Sequence, residues 1–124
     1  MKPVLALIAV LFFASSAVAQ HGHGAKGPNG GTMEDVAGVV AELVTAGNTL
    51  TVHVYDEGGK PVSTKGFTAS ALVVAGGKQE TVNLAVSGEN ALAGTTKSPV
   101  GAGSAITVML KTAEGKSGQA RYKQ

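Results

Sequence analysis

From Val36 onward, apolar and polar residues alternate in short runs, each closed by a turn signal. A period of two puts successive side chains on opposite faces, which suits a strand half-buried against a core and does not suit a helix. Leu50, Val52 and Val54 interleave with Thr51, His53 and Tyr55, and Val82, Leu84 and Val86 interleave with Thr81, Asn83 and Ala85. Ile106, Val108 and Leu110 repeat the pattern, and Phe67 to Ala75 forms a further apolar run. Gly47-Asn48 separates Val39–Val44 from Leu50–Val54 as a two-residue hairpin link does. Asp56 to Pro61, Gly76-Gly77-Lys78, Ser87 to Asn90 and Glu114-Gly115-Lys116 mark the other turns, while Gly94 to Ser104 reads as loop. No segment carries a helical period with caps. About seven short strands at this spacing predict an all-β chain, an immunoglobulin-like antiparallel β-sandwich over 36–124, with a small open β-barrel as the alternative.

The first residues follow another logic. Met1-Lys2 precedes an apolar run from Val4 to Ala14, and Ala17-Val18-Ala19 places small residues at a peptidase site. This pattern predicts a secretory signal peptide over 1–19, and so a periplasmic or secreted protein with no membrane span in its mature form. Gln20 to Gly31 contains five glycines and no large apolar residue. Ordering such a stretch costs backbone entropy with little burial in return, so 20–35 is expected to be a flexible leader.

Charge and cysteine content exclude several functions. With Lys2 removed alongside the signal, nine basic residues face eight acidic ones. That balance, with scattered cations and few aromatics, excludes nucleic-acid binding through a basic stripe or a stacking platform. An exported chain with no cysteine has no disulfide staple, no thiolate nucleophile and no thiolate metal ligand. Its core must rest on valine and alanine packing.

Several short pieces occur in a telling order: Gly27-Pro28-Asn29-Gly30-Gly31, Glu42-Leu43-Val44, Val54-Tyr55-Asp56, Gly59-Lys60-Pro61-Val62, Gly76-Gly77-Lys78 with Glu80-Thr81-Val82, and Ala120-Arg121-Tyr122. Over about 27–123 this order resembles a family of small exported proteins that are similar to the amino-terminal β domain of periplasmic adaptor subunits of heavy-metal efflux pumps. The resemblance implies a β domain with a place in heavy-metal homeostasis or efflux, and an efflux-system or other envelope protein as partner. The family motif reads Gly-Pro-His-Gly-Gly; here Asn29 stands at the histidine position, and an amide oxygen is a weak ligand for soft or borderline metals.

The residues themselves offer one metal-ligating constellation. A free amine on Gln20, a deprotonated backbone amide and the His21 imidazole make a planar nitrogen set suited to Cu(II) or Ni(II), which His23 completes; Zn(II) is a further candidate. The same two histidines also suit a merely solvated tail, and an amino-terminal glutamine that cyclises loses its amine. His53 is a weaker candidate ligand, because its strand turns it away from Leu50, Val52 and Val54 as an ordinary surface residue. Met33 reads as packing filler and Met109 as an outer-face residue.

Catalysis is not expected. There is no nucleophile elbow and no Ser-x-x-Lys, and His53 is the single histidine beyond the leader. The adjacent carboxylates Glu34-Asp35 and Asp56-Glu57 point opposite ways on extended chain, and no calcium-loop spacing surrounds them. Two readings follow: a non-catalytic periplasmic accessory protein in copper, nickel or zinc homeostasis, and a metal-independent module that binds an envelope partner.

Overall fold

A computed structural model describes residues 24–124, so the expected signal peptide and Gln20, His21 and His23 lie outside the described residues. Among the described residues nine strands form: β1 (Ala25–Lys26), β2 (Thr32–Val36), β3 (Val39–Ala46), β4 (Thr49–Tyr55), β5 (Thr68–Ala75), β6 (Lys78–Val86), β7 (Ala91–Thr95), β8 (Ala105–Lys111) and β9 (Ser117–Lys123). Every pairing is antiparallel. The strands make one order, β1-β2-β3-β4-β7-β6-β5-β8-β9, which curls into a half-barrel.

The turns are where residue chemistry puts them. Gly47 has φ 58° in the link that pairs Ala46 with Thr49. Gly76 and Gly77, at φ 57° and 79°, close the β5–β6 hairpin, a conformation that residues with a Cβ seldom adopt. The strand order passes from β7 to β5 through β6, which divides its pairing between them. Its Lys78–Leu84 portion pairs with β5, whereas Ala85 and Val86 pair with Ala93 and Leu92 of β7. At this corner a Cβ on Gly94 would stand 2.7 Å from the Asn83 carbonyl oxygen, so only glycine lets the strands cross so closely.

The concave side holds the core. Leu50, Val52 and Val54 of β4, Leu92 of β7 and Ile106 and Val108 of β8 are fully buried, joined by Ala71, Val82, Leu84 and Tyr122. Each buried valine, leucine or isoleucine contributes about 1.5–3 kcal/mol, which is how a chain with no disulfide holds together. The two ends of the sheet come together where the Tyr122 hydroxyl of β9 donates to the Ala41 carbonyl of β3 at 2.8 Å. Beside it, Gly118 packs so near the Ala37 nitrogen that a Cβ would lie 3.0 Å away.

The described residues are therefore all-β and antiparallel, and their curl has the form of the open-barrel alternative. The seven-stranded immunoglobulin-like arrangement is not reproduced: β1 and β2 add two strands, and all nine form one continuous order. The boundary at residue 36 is also corrected. Residues 25–26 and 32–35, assigned above to a flexible leader, belong to the sheet, because Thr32 to Val36 pairs residue by residue with Leu43 to Val39. Ala37 at φ 51° and Gly38 at φ 82° make the hairpin between them.

Candidate functional site

The alternation in β3 turns Ala41 and Leu43 toward the core and Val40 and Glu42 outward. Glu42 is nonetheless 0% exposed and Val40 3%. An outward carboxylate without solvent needs donors. They come from the Gly27-Pro28-Asn29-Gly30-Gly31 loop between β1 and β2, which folds over this face. The backbone N–H groups of Asn29 and Gly31 each donate to Glu42 Oε2 at 2.8 Å. Asn29 Nδ2 donates to Glu42 Oε1 at 3.0 Å and to the Tyr55 hydroxyl at 2.9 Å, and that hydroxyl donates in turn to Oε1 at 3.5 Å.

The glycines of this loop serve close approach. A Cβ on Gly27 would collide with the Glu42 carboxyl, and one on Gly31 with the Leu43 carbonyl oxygen. The loop is closed on itself by Gly27 N–H donating to the Gly31 carbonyl at 2.7 Å and Gly30 N–H to the Gly27 carbonyl at 3.0 Å. Oriented N–H dipoles and an amide thus hold the charge, as they do around other buried carboxylates. Burial first, and then the neighbouring Glu42 charge, push the Tyr55 phenol above its ordinary 10.0, against hydrogen bonds from Asn29 and Asn90 that act the other way. Tyr55 therefore stays protonated at neutral pH and keeps its donor. A small hollow of about 90 Å³ beside the loop is lined by Pro28, Met33, Val40, Tyr55, Asp56 and Gly59. The carboxylate is engaged by the protein's own donors, so the arrangement acts as a clasp for the amino-terminal loop.

The outer face of β6, β5, β8 and β9 is finished differently. The registers align three cross-strand rows there: Asn83, Ser70, Met109 and Gln119; Thr81, Leu72, Thr107 and Arg121; Gln79, Val74, Ala105 and Lys123. None of these positions is acidic, and both cations lie on β9. Met109, 40% exposed, is one of two exposed large hydrophobic residues among the described residues, the other being Val86. It stands in a shallow basin of about 640 Å³ whose walls include Thr68, Ser70, Asn83, Lys111 and Gln119. Hydroxyl and amide groups around an apolar centre, with cations at the rim, form a surface that can accept a polypeptide carrying acidic side chains.

His53 lies on the outward side of β4, as the alternation requires, half-buried between Glu42 of β3 and Ala91 of β7. Met33 occupies the same row on β2, opposite Glu42. Among the described residues no group of three or more histidine, cysteine, aspartate or glutamate side chains is placed to hold a metal ion. His53 stands across from Glu42, whose carboxylate is taken up by the loop donors, and Gln20, His21 and His23 fall outside the described residues.

Sequence reasoning missed Glu42, Asn29 and Tyr55 as a unit. The signal was present: Val39 to Val44 is apolar on both faces apart from Glu42, and a strand buried on both faces requires a cover. No protein-family model, no curated protein and no solved structure matches the chain.

Proposed function

We propose that this protein is an exported, non-catalytic accessory module that binds an envelope protein through the outer face of β5, β6, β8 and β9. The observation that carries this reading is the acid-free array around Met109, with Arg121 and Lys123 at its β9 rim. Charge depletion at the centre with an apolar anchor is the composition of a binding surface, and cations at the edge select a partner with acidic residues.

A photo-crosslinking side chain placed at position 109 in exporting cells tests the assignment, with position 53 as the comparison. A discrete adduct from 109 that is absent from 53 and weakened by Arg121→Glu with Lys123→Glu supports it. Equal labelling from both positions, insensitive to charge reversal, sinks it.

A role in copper, nickel or zinc homeostasis is the second reading, favoured by the Gln20-His21-Gly22-His23 spacing and by the resemblance to efflux-adaptor β domains. Titration of mature protein, its amino terminus defined by mass spectrometry, with Cu(II), Ni(II) and Zn(II) decides it. Saturable binding lost in His21→Ala with His23→Ala sustains this reading. Affinity no better than that of a glycine peptide removes it.

A further inference from the structure

We propose that Asn29 is a deamidation site that the Glu42 clasp holds silent in the folded domain and that, once converted, keeps the clasp from closing again. Asn29-Gly30 is the single Asn-Gly step in the chain; Asn48, Asn83 and Asn90 precede threonine, leucine and alanine. With no Cβ on the following residue, the Gly30 amide nitrogen meets the least steric resistance to attacking the Asn29 side-chain carbonyl carbon. The new bond from nitrogen to Cγ forms as the Cγ–Nδ2 bond breaks, and ammonia leaves with the proton that the Gly30 nitrogen gave up. Water then opens either carbonyl of the cyclic imide, yielding aspartate or isoaspartate. One water is consumed and one ammonia released, with no change of oxidation state.

Three features of the clasp oppose the first step. The leaving group Nδ2 is the atom that donates to Glu42 Oε1 at 3.0 Å and to Tyr55 at 2.9 Å, so its departure costs both bonds. The attacking nitrogen donates to the Gly27 carbonyl at 3.0 Å. The buried Glu42 carboxylate, bonded to the N–H groups on both sides of Gly30, disfavours the negative charge that this nitrogen must develop. Asn29 is itself solvent-exposed, so water reaches the imide once it forms.

After conversion the balance reverses. An aspartate at position 29 sets a carboxylate in place of the donor that faced the buried Glu42 carboxylate, and two like charges at that separation repel. Isoaspartate lengthens the main chain within a loop whose glycines already touch Glu42 and the Leu43 carbonyl. The loop is then released from β3, and the Lys26–Gly27 peptide bond becomes a reporter of its opening.

The test ages the mature protein at mildly alkaline pH, in buffer and in urea, and resolves asparagine, aspartate and isoaspartate at position 29 by peptide mapping. Conversion in buffer is expected to be at least roughly tenfold slower than in urea, the factor that about 1.4 kcal/mol of protection gives. Glu42→Gln is expected to narrow that gap. Trypsin is expected to cut after Lys26 faster in aged protein and in Asn29→Asp than in fresh protein, with Asn29→Gln aging far more slowly. Equal rates in buffer and urea overturn the gating. Wild-type resistance to trypsin in the aged, converted fraction overturns the opening, and this measurement needs no variant to fold.

Discussion

Glu42 on β3 and Met109 on β8 both point outward from the curled sheet, yet the acidic residue is completely buried and the apolar one is 40% exposed. The difference lies in what lies over each strand. Above β3 and β4 the chain's own loop supplies two backbone N–H groups and an asparagine amide to a carboxylate. Above β5, β8 and β9 the described residues place no such cover, and the rows there carry no charge besides the cations Lys111, Arg121 and Lys123. A buried, fully bonded carboxylate fixes the position of a segment. An open face with an apolar centre leaves a surface for something else. The first arrangement is one of stability and the second one of recognition.

That division is breakable by substitution. The largest effect is expected from Glu42→Ala, which strands the Asn29 and Gly31 N–H groups and the Asn29 amide: about 3 kcal/mol lost in urea unfolding, with faster tryptic cleavage after Lys26. A loss below about 1 kcal/mol would show that the clasp does not hold the loop. Tyr55→Phe keeps the ring but removes the hydroxyl that receives from Asn29 and donates to Glu42, and is expected to cost about 1 kcal/mol.

Tyr122→Phe is expected to cost a similar amount, about 1 kcal/mol, at neutral pH through loss of the bond to Ala41. It also changes the alkaline limb. Burial, and then the Glu34 charge, push the Tyr122 phenol well above its ordinary 10.0, so folded and unfolded chains are both protonated below that pH and the stabilisation is complete there. As pH rises past 10.0 the unfolded chain ionises first and stability falls. A pH series of urea midpoints is expected to slope downward in the wild type and less in Tyr122→Phe. The smallest stability effect is expected on the open face: Met109→Asp changes unfolding by about 0.5 kcal/mol or less while abolishing the crosslinked adduct seen from a neighbouring face position. A large stability loss there would make the face part of the core instead.

What the sequence disclosed follows the range of the interactions. The Gly47-Asn48 hairpin, the Leu50, Val52 and Val54 face and the outward Met109 were legible because period and turn chemistry act locally. β2 was not, since Thr32-Met33-Glu34-Asp35 lacks alternation and buries only Val36 among its residues, and because Ala37 takes a left-handed φ that alanine rarely adopts. The Gly27 to Gly31 loop looked flexible on composition alone. Its glycines are there because the chain must approach Glu42 and the Leu43 carbonyl closely, a requirement set by a strand more than ten residues away, as the separations of 13 and 11 in the Glu42 bonds show.

The junction between the sheet's two ends sets an order of opening. Among the described residues no backbone ladder joins β2 to β9; the Tyr122 bond to Ala41 of β3 and the packing of Gly118 against Val36 and Ala37 close the seam instead. Backbone amides facing this seam are therefore expected to exchange with solvent before those inside the β4, β7 and β5, β8 ladders. The domain loosens by unrolling from one line, with the amino-terminal and carboxyl-terminal strands parting first and its aliphatic centre last.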